Sequence, residues 1–429
     1  MPALDRRRFL SLAAAAAAAA GEAWGQSEKT VRVGFVGVGN RGTYLLRSIL
    51  DLPGVEVSAI CDINEANLQR GQAVVEKAGR KRPEGYSSGV EDYRRMVARD
   101  DLDAVITATP WELHTPVCVA AMKAGKYAAT EVPAAITLEE CWELVNTSEQ
   151  TRMPCMILEN VCYYRNVLLI LNMIRQGAFG EVTHCAGGYQ HYLGGFRPDG
   201  SLTWRGMHSL QRDANVYPTH PLGPIAWWTN INRGDRFTRL VSMSSQSAGL
   251  NAMAARRFGA DHPAAKRKYA MGDVNTSLIR TENGVSVTLI HDVQLPRPYD
   301  LGFRVQGTKG IYSGTLEKIY IEAEGTPRGQ HEWQDMEPYY AKYEHPLWQK
   351  LGATAGKYSH MGGDYIELVM WVAAIRNRTQ PPIDVYDTAT WSAVTPLSER
   401  SVAAGSAPVE FPDFTRGRWK TAKPVELRL

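Results

Sequence analysis

The stretch VRVGFVGVGNRG, residues 31–42, decides the fold. Val31, Val33, Phe35 and Val38 are β-branched or aromatic and interleave with glycine, the pattern of a short buried strand running into a turn. In a dinucleotide-binding turn the first glycine, here Gly37, permits the tight bend. The second, Gly39, lets backbone approach a pyrophosphate, and the third, Gly42, lets helix pack closely on strand. Residues 43–52 supply an apolar-spaced helix whose N-terminus would turn free N–H groups and its positive dipole end toward phosphates. Residues 55–60 repeat the strand pattern. Asp62 follows about twenty residues after the last glycine, where a carboxylate takes the two hydroxyls of an adenosine ribose. Its charge disfavours a 2′-phosphate, so NAD(H) is expected rather than NADP(H).

The alternation continues. Helical spacing over 64–81, 90–99, 116–125 and 138–150 is interleaved with strand-like runs at 103–108, 127–130 and 155–158, which predicts right-handed crossovers and a doubly wound parallel sheet. The loop 109–114 lies beyond the carboxyl end of one of these strands and is expected to border a nicotinamide. After Arg165 a helix over 167–176 gives way to strands at 183–189, 240–247, 275–281, 285–293, 302–307 and 319–323, joined by turns such as Glu282-Asn283-Gly284. This is the pattern of a mostly antiparallel sheet with helices on one face. An amphipathic helix over 365–377 is expected to pack back on the assembly. The fold class is therefore α/β: a Rossmann domain over 31–165, then an α+β substrate domain over 166–429.

A chain of 429 residues can bury two cores. With 48 basic against 45 acidic residues the net charge is +3, and no basic run follows the N-terminus, so nothing points to nucleic acid. Asp5-Arg6-Arg7-Arg8-Phe9-Leu10, the alanine-rich run 11–20, and the small residues around Ala23 and Gly25 resemble a twin-arginine export signal. Residues 1–30 are thus expected to engage the twin-arginine machinery, with a periplasmic or secreted product. No later run is apolar enough to span a bilayer. An exported protein has no obvious pool to reoxidise a released NADH, so a retained NAD suits the chain better than one released each turnover. The six cysteines, Cys61, Cys118, Cys141, Cys155, Cys162 and Cys185, match no metal-ligand spacing, so no metal is expected, and most lie in apolar runs as buried free thiols.

A nucleotide domain followed by such an α/β domain resembles the superfamily of glucose–fructose oxidoreductase, inositol dehydrogenase and rhizopine catabolism. The shared features are the glycine turn, Thr109-Pro110 with His114, Glu131-Val132-Pro133, and Gly177-Ala178-Phe179-Gly180-Glu181-Val182. The dehydrogenases of that superfamily carry a lysine where this chain has Val132, so the usual proton relay to an alcohol is missing. Asn40-Arg41, Trp111-Glu112-Leu113-His114, Glu131-Val132-Pro133, Glu159-Asn160-Val161-Cys162-Tyr163, Trp204-Arg205-Gly206-Met207-His208 and Tyr217-Pro218-Thr219-His220 together resemble glycoside hydrolase family 109, described for α-N-acetylgalactosaminidase activity.

That resemblance implies an NAD site around Asn40, Arg41, Asp62, Trp111, Glu112, Leu113, His114, Glu131, Val132, Asn160, Arg205 and Tyr217. It implies a sugar site around Tyr189, Tyr217, Pro218, Thr219, His220 and Tyr299. The implied reaction is hydrolysis through transient redox: hydride leaves C3, the C2 proton becomes acidic, the aglycone is eliminated, water adds and the hydride returns. His208, Tyr217 and His220 are the candidates for moving protons, each open to the plainer reading of a structural residue, and His114 is read as positional. Two other functions stay open: a net oxidoreductase on a sugar or cyclitol, and an exported sugar-binding protein. An open sheet face in the second domain would be the contact surface of a homo-oligomer.

Overall fold

The computed structural model describes residues 29–323 and 331–429; the export signal expected near the N-terminus lies outside the described residues. Six strands, β1 (Val31–Val36), β2 (Val55–Cys61), β3 (Glu84–Tyr86), β4 (Ala104–Thr107), β5 (Tyr127–Thr130) and β6 (Cys155–Ile157), form one sheet in the order β3-β2-β1-β4-β5-β6. Every pairing is parallel. The interior strands are mostly apolar and buried because helices cover both faces, with Arg32 and Glu56 falling near the strand starts. β3 is an addition to the sequence reading, since three residues carry too little alternation to announce a strand.

The helix after β1 is Asn40–Leu50, three residues earlier than expected. Gly39 holds extended backbone as its N-cap, so the chain coils at once and Gly42 lies inside the first turn. The helix His114–Lys123 likewise begins early, behind a single 3₁₀ turn at Trp111–Leu113; Pro116 sits in its first turn, where a missing N–H costs nothing.

The second sheet has nine strands: β7 (Val182–Gln190), β8 (Phe237–Ser244), β9 (Val274–Thr281), β10 (Ser286–Asp292), β11 (Arg304–Gly307), β12 (Gly310–Ser313), β13 (Lys318–Ile321), β14 (Gln334–Asp335) and β15 (Val409–Glu410). Their order is β14-β13-β12-β11-β7-β10-β9-β8-β15, antiparallel except where β7 lies parallel to β10. β12, β14 and β15, of two to four residues, are additions to the sequence reading.

One expectation is corrected. The helix Gly363–Asn377 is not amphipathic: 12 of its 15 residues are buried. It packs on the helix Asn40–Leu50 and β1 of the first domain, on the turn Asn160–Tyr163 and on the helix Pro346–Ala355, which leaves almost no face for water. Trp227, Trp228 and Trp371 are core residues, and all six cysteines are buried with free thiols. Among the described residues no helix is long and apolar enough to cross a membrane.

Candidate active site

The three glycines of the first turn serve three different physical needs. Gly37 has φ +82°, and a Cβ there would lie 2.9 Å from the backbone of Ala108, so bend and neighbour both require glycine. A Cβ on Gly42 would lie 2.0 Å from the Gly37 carbonyl oxygen, which is how the helix start closes on the turn. A Cβ on Gly39 would meet nothing within 4 Å. Its open side gives onto a cleft of about 490 Å³, a size usual for small-molecule sites.

Gly37, Gly39, Asn40, Arg41, Asp62, Trp111, Leu113, His114, Glu131, Val132 and Arg205 line this cleft. Asp62 accepts the Val38 and Asn64 backbone N–H groups, both at 2.8 Å, which fixes it beside the turn with lone pairs to spare. Arg205 comes from the second domain, on the helix Trp204–Gln211; its side chain lies over the Trp204 ring at 4.1 Å, and its buried Nε has no partner among the described residues. An uncrowded glycine at a helix N-terminus, an anchored carboxylate and an unpaired guanidinium N–H are the fittings an anionic dinucleotide needs. The residues present therefore fit NAD.

The remaining expected cofactor residues stand apart from the cleft lining. Gly42 is inside the helix. Glu112 is 57% exposed, its Oε1 3.3 Å from His208 Nε2. Asn160 is buried with Oδ1 unpartnered, and Tyr217 approaches the cleft through Trp111, ring centroids 5.7 Å apart. His114 is buried between the Pro133 carbonyl at 2.7 Å and the Thr109 carbonyl at 2.9 Å. Burial lowers its pKa, while the two carbonyl oxygens, able only to accept, favour the ring protonated at both nitrogens; through Nδ1 the ring ties the loop to the turn. Trp111 Nε1 donates to the Val132 carbonyl at 3.1 Å, completing the same wall.

Beyond Trp111 runs an aromatic surface drawn from separate elements. Tyr189, near the end of β7, stacks on Tyr217 at 4.2 Å with planes 15° apart. His220 lies 5.1 Å from the first ring and 5.2 Å from the second. Tyr299 stands edge-on to Tyr189 at 6.3 Å, and the Tyr189 hydroxyl is 3.1 Å from Nδ1 of His191. The structure thus brings Tyr189, Tyr217, His220 and Tyr299 together. Pro218 caps the helix Thr219–Trp228 that carries His220, and the buried Thr219 Oγ1 has no partner among the described residues. Burial raises the pKa of the Tyr217 phenol, which keeps it a proton donor. His208 lies against Trp111, centroids 4.6 Å apart, its pKa lowered by burial.

Glu159, part of a quoted motif but assigned no role from sequence, proves central. Its fully buried Oε1 lies 2.6 Å from His220 Nδ1 and also accepts the Val161 N–H at 3.2 Å. With Nδ1–H donated to the carboxylate, Nε2 of His220 is left as the basic nitrogen. The position after β6, at a carboxyl end of the parallel sheet, was the available signal. Asp364, which grips Arg41 from a distant helix, had none.

With this geometry in place, the known proteins agree on a class. Residues 163–421 match the model "Glycosyl hydrolase 109, C-terminal domain", and residues 31–158 match "Oxidoreductase family, NAD-binding Rossmann fold". Fold and site define a glycoside hydrolase built on an NAD-binding oxidoreductase scaffold. A glycosyl hydrolase family 109 protein of Stenotrophomonas maltophilia (strain K279a) is 41% identical over 99% of this chain and 98% of its own length. An α-N-acetylgalactosaminidase of Tannerella forsythia is 42% identical over 94% of this chain and 90% of its own. The chain belongs to glycoside hydrolase family 109, and its cofactor is NAD. Levoglucosan dehydrogenase in complex with NADH shares the fold, with a TM-score of 0.69 at 18% identity over 90% of this chain and 100% of that one.

Proposed function

We propose that this NAD-dependent glycosidase hydrolyses α-N-acetylgalactosaminides by the oxidation–elimination route, as an exported enzyme that keeps its cofactor. Gly39, the N-terminus of the helix Asn40–Leu50, Asp62 and Arg205 would hold NAD, with Trp111, His114, Glu131 and Val132 around its reactive end. Bound NAD supplies a reversible hydride acceptor for C3 of the sugar, which makes the C2 proton labile enough for the aglycone to leave by elimination.

The chain's own residues handle orientation and protons. Tyr189 and Tyr217 are buried and stacked on each other, so they brace the floor of the aromatic cluster, and the half-exposed Tyr299 beside Tyr189 is the ring open to a sugar. Glu159 orients His220 so that Nε2 can take a proton, and its negative charge stabilises the imidazolium that results. Tyr217 donates. His208, packed on Trp111, shapes the wall. Three buried acids around the site have partners: Glu131 and Asp364 bind Arg41, and Glu159 holds His220 through Oε1.

The single observation that carries this reading is the 2.6 Å His220–Glu159 pair beside the stacked tyrosines. The name of the Tannerella forsythia relative supports the choice of sugar. The test is incubation of the purified protein with a panel of aryl glycosides and no added cofactor. Phenol release from the α-N-acetylgalactosaminide is the expected result. Stoichiometric NADH from a free sugar, with no aryl glycoside cleaved, would instead make the protein a net oxidoreductase. Export is tested separately by comparing the compartment of the whole chain with that of an Arg7→Lys, Arg8→Lys variant.

A further inference from the structure

Arg41 stands in the glycine turn, yet its guanidinium is spent on protein. Nε donates to Glu131 Oε1 at 2.6 Å, while Nη1 and Nη2 donate to the two oxygens of Asp364, both at 2.8 Å. Asp364 opens the helix Gly363–Asn377, so this fork joins the cofactor turn to a helix of the other half of the chain. The Asp364 side chain is fully buried. Burial alone would raise its pKa; the guanidinium, with His360 behind it, overrides that and holds the carboxyl below the usual range.

The residues leading into Asp364 are fastened along the same cofactor helix. The Tyr358 hydroxyl donates to Asp51 Oδ2 at 2.8 Å, and the Ser359 N–H donates to the Tyr44 hydroxyl at 3.0 Å. His360 places its ring edge-on to Tyr44 at 5.4 Å and its Nδ1 2.8 Å from Asp364 Oδ2. The backbone there is strained: His360 has φ 49° and Met361 φ 51°, two consecutive residues with side chains in the left-handed region. Burial of Met361 does not compensate, because it is 57% exposed. Such outliers persist where surrounding contacts enforce them, and they gather at ligand clamps.

We propose that residues 358–364 are a strap that locks the N-terminal turn of the cofactor helix, with Asp364 as the positioning residue that holds Arg41 and thereby slows the release of NAD. The proposal rests on the reading that NAD stays bound through turnover. Arg205 lines the cleft from the second domain, and the Arg41–Asp364 fork ties the glycine turn on its other wall to a helix of that same half, so any parting of the two halves has to break the fork. Arg41 thus serves the dinucleotide by fixing the backbone that cradles it.

The test follows exchange of bound NAD against an excess of deuterated NAD, using the full-length protein as purified and mass spectrometry of denatured aliquots. Asp364→Asn should exchange roughly tenfold faster or more, the worth of a hydrogen-bonded charge. His360→Ala, which alters a half-exposed strap residue, should also accelerate exchange. Asp387→Asn, a buried partner of Arg233 on elements that do not line the cleft, should leave it unchanged. Exchange at the parent rate in both strap variants overturns the proposal, as does equal acceleration in Asp387→Asn. If Asp364→Asn fails to fold, His360→Ala decides alone. Slow exchange in a parent that cleaves no glycoside removes the proposed reaction and leaves the strap supported.

Discussion

The two sides of the cleft use one device to opposite ends. On the cofactor side, buried carboxylates of Glu131 and Asp364 grip Arg41, a cation that keeps its proton at any working pH. On the sugar side, the buried carboxylate of Glu159 grips His220, a cation only when protonated. Both pairs fix geometry, but only the second can move a proton. The site therefore separates holding from chemistry, and what separates them is the choice of the basic partner.

Removing the sugar-side base should have the largest effect. His220→Ala is expected to lower kcat by roughly 10²–10⁴-fold while NAD content stays at the parent level, measured by steady-state kinetics and by mass spectrometry of the released cofactor. Glu159→Gln keeps an oxygen able to accept the Nδ1–H but loses the charge. It should cost roughly ten- to a hundredfold in kcat, with cofactor binding again untouched. A full loss of NAD in either variant would dissolve the distinction between the two sides.

Two glycines sharpen the cofactor side. Gly42→Ala drives a Cβ into the Gly37 carbonyl and should lower stability by about 1–3 kcal/mol, seen in thermal unfolding. Gly39→Ala meets no protein atom, so the Tm of the NAD-free protein should hold while NAD occupancy falls. The opposite pattern would mean that the open side of Gly39 is not where the dinucleotide lies.

The smallest expected effect concerns Glu367, one turn beyond Asp364, fully buried with both carboxyl oxygens unpartnered among the described residues. Burial, with Asp364 and Glu131 nearby, raises its pKa well above 4.5. The folded state then holds the proton more tightly than the unfolded state, so this residue's contribution falls as pH rises from about 4.5 toward the raised folded value. Glu367→Gln should flatten that fall, its Tm advantage over the parent growing with pH. An advantage independent of pH would show that Glu367 does not titrate in this way.

How much of this was legible in the sequence follows the range of each interaction. Gly37, Gly39, Gly42 and Asp62 announce themselves because their requirements are met within one strand–turn–helix–strand unit. The tyrosines and His220 could be named as a set only through the resemblance, since Tyr189 meets Tyr217 on one side and Tyr299 on another only in the folded second domain. The Glu159–His220 bond spans 61 positions and the Arg41–Asp364 fork 323, distances over which no local pattern forms. The burial of the helix Gly363–Asn377 was missed for a related reason. Glu367, inside the expected span 365–377, and Asp364, just ahead of it, are buried by surroundings that lie elsewhere in the chain.

The most direct measurement of the central claim is hydrolysis of an aryl α-N-acetylgalactosaminide in deuterated water, with the released sugar analysed by proton NMR. Loss of the C2 proton signal, one deuterium per cleavage, is the predicted result. Phenol release with the original proton kept at C2 would contradict the elimination route.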